Sequence, residues 1–430
     1  MNTMNTKNSS VSFLLVSALA VSTSFNAFAA KPEVGNVTVS QDKFTRVVTV
    51  EYTLSSEPGI VTLDIQTNGV SIGSENFLKV QGDVNKVVAP GDEKKTITWY
   101  PHIEWPNRKI TDGSLKAVVN AWATNCPPMY MAYNTIVKKV NYYPSAEAVP
   151  YGVTSDVYKT DCILMRKIPA QGMVFRMGAA RAETTHDDLK SYAVQEYAHL
   201  VGFTKDFYIA VYPVTQQQFY NIKGWYPSSC TVTATSGKQP VTGTSYETLR
   251  GDKLWPKDGD AVGSSSVFKT LRDASGIPSF DLPTDAQWEF SCRAGTASAH
   301  NDGTEYDGTS RACAWTQENS GNAIHDVGAT GIANGYGLYD MLGNYWELVK
   351  DMFSNGSDYS DTFVADWKTG GITWDPKGKY SDTYGNRVRR GGNYNWAVKY
   401  ARSAYRDTVA QTGTGVTFRP VCAAEAPVAK

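Results

Sequence analysis

Six cysteines and five histidines are the side chains of this sequence best suited to redox or metal chemistry. The cysteines are Cys126, Cys162, Cys230, Cys292, Cys313 and Cys422, and the histidines are His102, His186, His199, His300 and His325. No pair forms the C-x-x-C spacing of zinc ribbons and thioredoxin-type sites, and no H-E-x-x-H or three-histidine pattern is present. A G-x-S-x-G elbow and a phosphate-binding glycine loop followed by lysine are also absent. These residues therefore predict no familiar catalytic constellation.

The first thirty residues have the pattern of a secretory signal peptide. Lys7 precedes an apolar stretch at 11–21, and Ala27-Phe28-Ala29 is a small-x-small cleavage site. The stretch is too short to span a bilayer core of about 30 Å, and a retained anchor is the alternative. We therefore expect an exported protein, periplasmic or extracellular, with no membrane span. The even number of cysteines permits disulfides there but leaves their pairing open.

Composition indicates a globular chain of more than one domain. The sequence has 430 residues, 41% of them hydrophobic and 19% charged, which is enough apolar material for sizeable cores. The formal net charge of -1 provides no basic field, so nucleic acid is not an expected partner.

Residues 31–143 alternate between apolar and polar positions in short, β-branched runs. Strand candidates are 36–40, 46–52, 60–65, 95–100 and 115–122, with turn signals at 55–59 and at Asn68-Gly69. This pattern predicts an all-β, immunoglobulin-like sandwich over 31–143, followed by a Pro- and Gly-containing linker at 144–160. Nothing in the first domain looks catalytic, which favours a spacer or docking role.

The remainder, 161–430, contains blocks rich in Gly, Trp and Arg. In chain order they are 168–178, 207–219, 282–295, 334–348 and 389–422. Thr215 is placed to cap a helix in the second block, and Thr284 or Asp285 to cap one in the third, on which Trp288 and Cys292 share a face. Five collinear blocks are a more specific signal than any one of them.

Taken together, these blocks resemble the formylglycine-generating enzyme (sulfatase-modifying factor) family over roughly residues 162–425. The resemblance implies an α+β fold of the C-type-lectin-like, formylglycine-generating enzyme type for 161–430. The family oxidises a sulfatase cysteine to formylglycine with copper and oxygen, holding the metal with two thiolates because such soft ligands select Cu(I). Here the corresponding segment, 393–401, contains no cysteine, and Trp396 stands about where the first thiolate would be. Copper is therefore not expected, and non-catalytic function is favoured.

The resemblance also implies a calcium site and a disulfide. The family's calcium loop carries over to the side chains of Asp340 and Glu347 and the carbonyls of Gly343 and Tyr345, oxygen donors that suit a hard cation. The alternative is that Asp340 caps a turn and Glu347 accepts backbone hydrogen bonds. The implied disulfide joins Cys292 to Cys422. His325 is interpreted as structural.

In the family, the groove beside the former cysteines binds an extended peptide. The residues that populate this region here are Asn393, Tyr394, Asn395, Trp396, Lys399, Tyr400, Tyr405 and Arg406. Such side chains suit recognition of a peptide, protein or glycan, whereas the alternative is that some aromatics belong to the core. Arg389, Arg390, Arg402 and Arg406 are interpreted as structural arginines. Lectin-fold proteins diversified by retroelements place variable residues in a similar stretch.

Two hypotheses follow. The favoured one is an exported, non-catalytic recognition module on a β-sandwich stalk. The other is a divergent metal-dependent oxidoreductase whose metal ligands have no recognisable motif.

Overall fold

The structure is a computed structural model. It describes residues 31–111, 113–179, 183, 185–192, 195–228, 230, 236–353, 371–378 and 385–425. The predicted signal peptide, 1–30, lies outside these residues.

In the part of the first domain that the structure describes, eight strands form two sheets. They are β1 Glu33–Gln41, β2 Val48–Ser55, β3 Gly59–Thr67, β4 Val70–Ser71, β5 Gln81–Gly82, β6 Val87–Val88, β7 Gly91–Trp99 and β8 Leu115–Ala123. One sheet has the order β1-β2-β7-β5, and the other has the order β4-β3-β6 with β8 paired to β3. All five strand candidates named from the sequence overlap these strands, although 46–52 begins two residues before β2 and 95–100 ends one residue after β7.

Alternation explains how these two sheets share a core. Along β2, Val48, Val50, Tyr52 and Leu54 are buried, whereas the residues between them are only half-buried. Their side chains join inward residues of β3 and β7 in one apolar cluster that includes Trp99. Because successive side chains of a strand point to opposite faces, one polar face remains on each sheet.

The described residues of the second domain form three sheets built from twelve strands. They are β9 Tyr130–Asn134, β10 Lys139–Tyr143, β11 Cys162–Ile168, β12 Val174–Met177, β13 His199–Gly202, β14 Phe207–Ala210, β15 Glu347–Met352, β16 Ile372–Trp374, β17 Arg387–Arg390, β18 Asp407–Val409, β19 Thr417–Phe418 and β20 Val421–Ala423. The sheet orders are β10-β9-β11-β14-β20, β12-β13-β16 and β18-β17-β15-β19. The expected mixed, sheet-rich α+β class is confirmed.

The predicted boundary at residue 143 differs from the structure. Strands β9 and β10 pair with each other, and β9 pairs with β11, so both belong to the second domain's five-stranded sheet. The predicted linker also packs: Val149 and Tyr158 are buried in one cluster with Val211 and Tyr339. Alternation identifies a strand but does not identify the sheet it joins.

The helices that the structure describes are short, and the last four begin after a Ser or Thr whose side chain accepts a hydrogen bond from a backbone amide. They are α1 Pro101–Glu104, α2 Val157–Thr160, α3 Gln216–Lys223, α4 Tyr246–Arg250, α5 Val267–Ser275 and α6 Asp285–Arg293, with 3-10 turns at Ser74–Asn76, Lys190–Tyr192, Ser236–Lys238 and Val398–Tyr400. Thr215 caps α3, as the sequence predicted, and Thr284, one of the two candidates, caps α6. Each threonine forms a capping box with the glutamine three residues later. The two caps fix the residues at which α3 and α6 begin.

The predicted disulfide between Cys292 and Cys422 is wrong in this structure, because both thiols are free and buried. Cys292 belongs to the core cluster of Trp288, whereas Cys422 packs with Tyr142 and Tyr208 in another cluster. The Cys292 thiol instead lies 3.7 Å from the Ser403 hydroxyl.

Among the residues that the structure describes, no helix is both long enough and apolar enough to cross a bilayer.

Candidate functional site: an aromatic surface

The segment carrying most predicted ligand contacts begins directly after β17, at Gly391-Gly392. Both glycines have positive φ angles, +90° and +86°. A Cβ on Gly391 would lie 2.9 Å from the Met341 carbonyl oxygen, and one on Gly392 would lie 3.1 Å from the Ala401 Cα. Glycine is therefore required here, because the chain must turn in the left-handed region and pass close to two other backbones.

This segment is held from beneath by the loop at 315–325. The Gln317 amide donates to the Trp396 carbonyl at 2.9 Å, and the Ser320 hydroxyl donates to the Tyr394 carbonyl at 2.7 Å. The Glu318 carboxylate accepts from the Val398 amide at 3.0 Å. The backbone that presents Trp396 is thus fixed by hydrogen bonds on both sides of the residue.

His325 has the structural role expected for it. Its ring stacks on Trp315 with centroids 3.9 Å apart, and its Nε2 lies 2.9 Å from the Ser320 carbonyl oxygen. Asn344 also accepts from the His325 amide and donates to its carbonyl. The histidine braces the supporting loop.

Five aromatic rings converge on the segment, and we call them the aromatic cluster: Tyr192, Trp346, Trp396, Tyr400 and Tyr405. Trp346 and Tyr405 are buried, whereas the other three rings are half-buried. Trp396 meets Trp346 edge-on at 5.4 Å and Tyr400 at 4.9 Å. Tyr192 approaches Tyr405 at 5.3 Å. Two buried rings therefore support three that reach solvent, a rigid amphipathic surface.

A fixed positive charge lies beside this cluster. The Arg389 guanidinium is 4.7 Å from the Trp346 ring centroid and 5.6 Å from that of Trp396. Two of its nitrogens donate to Asp407 Oδ2 at 2.8 and 2.5 Å, which sets the orientation of the plane. Lys399 Nζ lies 5.3 Å from the Tyr400 ring centroid. The surface thus combines aromatic faces with two cations.

The structure brings together only part of the predicted contact set. Those that reach solvent, wholly or in part, are Tyr394, Asn395, Trp396, Lys399 and Tyr400. Asn393 and Tyr405 are buried, so they support the surface and do not line it. Arg406 is also buried, and its Nε donates to Asp285 at 2.7 Å. Its burial and its pairing with Asp285 favour the structural interpretation over a ligand contact.

Sequence reasoning missed Tyr192, Trp346 and the Arg389–Asp407 pair as members of the site. Tyr192 comes from a 3-10 turn roughly two hundred residues earlier in the chain, and no motif marks it. Trp346 lies within the Gly-Asn-x-Trp-Glu block, which was a usable signal.

A network of buried charges anchors the cluster to α6. Arg390 donates to both Asp285 and Glu289, the latter at 2.9 Å. Burial alone would raise the pKa of Asp285, but the adjacent guanidiniums lower it below its usual value. Arg402 pairs with Glu196 at 2.7 Å, and burial of Glu196 raises the pKa of that carboxyl. Arg390 and Arg402 are therefore structural, as expected.

The loop proposed for calcium is only partly suited to a cation. Asp340 Oδ1 is buried without a hydrogen-bond partner, although Oδ2 accepts from the Gly328 amide at 2.5 Å, and burial raises the pKa of this carboxyl to about 6. Glu347, however, pairs with Arg419 at 2.7 Å and accepts from the Trp288 indole at 2.8 Å. The described residues contain no group of three or more His, Cys, Asp or Glu able to hold a metal. Calcium binding with the Gly343 and Tyr345 carbonyls stays a prediction.

Asp351, on β15, should make stability depend on pH. Burial and the neighbouring Asp285 carboxylate raise the pKa of Asp351 to about 7, whereas an unfolded aspartate titrates near ~4. Between these pH values the folded state therefore binds one more proton than the unfolded state, so the ionised carboxylate should destabilise the fold at pH 8 and cease to do so as the pH falls. We expect Asp351→Asn to be more stable than wild type at pH 8, with the difference shrinking towards pH 5. Thermal unfolding across this range measures it.

The matched control is Asp92→Asn, since Asp92 is an exposed carboxylate of the first domain. Its difference from wild type should stay constant with pH. If the stability difference between Asp351→Asn and wild type were also constant with pH, the raised pKa assigned to Asp351 would be contradicted.

Comparison with known proteins identifies relatives of the second domain. The profile described as "Sulfatase-modifying factor enzyme 1-like domain" matches residues 166–424, more than half of the chain. Formylglycine-generating enzyme of Mus musculus is 29% identical over 159 residues, and that of Thermomonospora curvata is 32% identical over 129 residues. These alignments cover 34% and 26% of this chain and 39% and 38% of the relatives. The chain thus spans about two-fifths of their length.

Solved structures also align with the chain. Treponema denticola variable protein 1 is 22% identical with a TM-score of 0.46, covering 63% of this chain and 97% of that one. PvdO from Pseudomonas aeruginosa is 20% identical with a TM-score of 0.44, covering 61% and 95%.

Proposed function

Because the chain belongs to the sulfatase-modifying factor enzyme 1-like family, we propose that it keeps the family domain for recognition and does not catalyse cysteine oxidation. In this proposal, the domain has the C-type-lectin-like fold expected for the family and binds a peptide, protein or glycan. The immunoglobulin-like first domain serves as its stalk. The signal peptide pattern at 1–30 supports export to the periplasm or beyond.

The observation that carries this proposal is the aromatic cluster at the position where the resemblance places the copper thiolates. Residues 393–401 contain no cysteine, and the indole of Trp396, about where a thiolate would be, has no lone pair for Cu(I). What the segment presents instead is ring surface beside Arg389 and Lys399. Binding sites of proteins are enriched in such Trp, Tyr and Arg side chains.

The geometry suits an extended, amphipathic ligand. Half-buried rings can pack against apolar side chains or the C–H face of a sugar, while the cations and Asn395 supply polar contacts. The rings are held in place by buried neighbours, so little conformational entropy is lost when a ligand binds.

The proposal predicts which side chains control affinity. In a screen of peptide and glycan arrays with the chain, we expect a ligand whose affinity falls at least tenfold, about 1.4 kcal/mol, in Trp396→Ala and in Tyr400→Ala. Titration calorimetry with the selected ligand measures this loss. Tyr220→Ala is the control, because Tyr220 is also exposed but lies outside the aromatic cluster.

Two results would overturn the proposal. One is a selected ligand whose affinity is unchanged in both cluster variants. The other is stoichiometric copper in the purified chain together with oxygen uptake on a sulfatase peptide, which would establish oxidase chemistry.

A further inference from the structure

A cavity lies where the two domains meet, and all of its lining residues precede the stretch 166–424 that matches the family profile. Its volume is about 350 Å³, at the lower end of the ~300–1,000 Å³ usual for small-molecule sites. One wall is the outer face of the β3–β8 pair, with Thr62 opposite Asn120 and Asp64 opposite Val118. The facing wall is the end of β10 and the segment after it, 141–148.

Direct contacts between the domains define the cavity. The Ser74 hydroxyl donates to the Ala148 carbonyl at 2.7 Å, which ties the first domain to the segment after β10. Thr62 is buried, and its hydroxyl accepts from the Trp122 indole at 3.1 Å. Asn120 and Glu147 are exposed, so the cavity is open to solvent on that side. A ligand can therefore enter without the domains separating.

The charged groups of the cavity are hydrogen-bond acceptors. Asp64 accepts from the Ser71 hydroxyl at 2.5 Å and from the Gln66 amide at 2.9 Å, which leaves lone pairs unused. Glu147 adds a second carboxylate. These two carboxylates call for a ligand with N–H or O–H donors.

Charge narrows the ligand class further. The lining contains two carboxylates, Asp64 and Glu147, and no lysine, arginine or histidine. A bound cation would be attracted by both carboxylates, whereas a bound phosphate or carboxylate would be repelled. The favoured donor is therefore a protonated amine.

The rest of the lining favours a ring over a linear chain. Phe77 and Tyr143 provide aromatic surface, and Asn85, Asn120 and Ser74 provide neutral hydrogen-bonding groups. Aromatic rings flanked by amides and carboxylates suit a sugar, whose C–H face is apolar and whose edge carries hydroxyls.

We propose that the interdomain cavity binds an amino sugar, with Asp64 and Glu147 accepting hydrogen bonds from its protonated amine and hydroxyl groups. This site is separate from the aromatic cluster and does not depend on it. Because its walls come from both domains, occupation would also stabilise their packing.

The test compares three probes with the chain by titration calorimetry: the glucosamine dimer, cellobiose as its neutral glucose counterpart, and spermidine as an amine without a ring. We expect the glucosamine dimer to bind at least tenfold more tightly than either of the others. In Asp64→Asn its affinity should fall to that of cellobiose, whereas Glu33→Gln, which changes an exposed carboxylate of the same domain, should leave it unchanged.

A second readout locates the site. Binding should change the fluorescence of wild type but not of Trp122→Phe, because the indole of Trp122 contacts the cavity-lining Thr62. The proposal is overturned if the glucosamine dimer does not bind, if cellobiose or spermidine binds equally well, or if Asp64→Asn binds as wild type does. A normal thermal transition for Asp64→Asn shows that the variant is folded.

Discussion

Replacing Arg390 by methionine is expected to lower the free energy of unfolding of the second domain by about 3–5 kcal/mol. The guanidinium is fully buried and pairs with Asp285 and with Glu289, and it also donates to the carbonyls of Ser403 and Tyr405 at 3.0 and 3.1 Å. Methionine keeps much of the volume but leaves two buried carboxylates without this partner. Their desolvation is then no longer offset.

Calorimetric unfolding of Arg390→Met and of a control variant measures this loss of stability, since each domain has its own core and can give its own transition. Lys94→Met is the control: Lys94 pairs with Glu51 at the surface at 2.8 Å, and its loss should cost about 0–1 kcal/mol. If Arg390→Met cost no more than Lys94→Met, the buried network would contribute nothing specific to the fold.

Trp346→Ala is expected to have a comparable effect on stability, about 3–5 kcal/mol, and an additional effect on binding. Trp346 is fully buried, and its ring touches those of Trp396 and Tyr405. Removing it leaves a cavity directly beneath the exposed part of the aromatic cluster. Trp396 then loses its support, so ligand affinity should fall even under conditions where the variant remains folded.

The matched control is Trp225→Ala, because 44% of the Trp225 side chain is exposed and its contact is with Phe219, outside the cluster. It should change stability by less than half as much and leave affinity unchanged. Equal decreases in the free energy of unfolding for Trp346→Ala and Trp225→Ala, measured by denaturant-induced unfolding, would contradict the role assigned to Trp346. Retained affinity in folded Trp346→Ala would show that Trp396 holds its position without it.

Features determined by neighbouring residues could be predicted from the sequence. Thr215 caps α3 because a threonine three residues before a glutamine can satisfy the first free amides locally. The strands of the first domain follow from alternation, which needs only one buried face. The order of the family blocks likewise predicted the second domain, because each block is a contiguous run of residues.

Features that depend on partners distant in the chain could not be predicted in this way. The alternation in β9 and β10 is compatible with either domain, and pairing with β11 places both strands in the second. Cys292 and Cys422 are both buried cysteines, but only the folded chain shows that they lie in different cores.

The sequence alone determined the family of the second domain, its helix caps and the absence of cysteine from 393–401. Only the tertiary structure decided which side chains form the surface at the position where the resemblance places the copper thiolates. Tyr192, Trp346 and Trp396 are separated by up to about two hundred residues, and they form one surface because the packing of three sheets brings them together. Burial likewise separates Arg406, which is buried and paired with Asp285, from Arg389, which is paired with Asp407 but partly exposed, with its guanidinium beside the half-buried rings. Residue type is the same at both positions, and only the surrounding fold distinguishes a structural arginine from one at a binding surface.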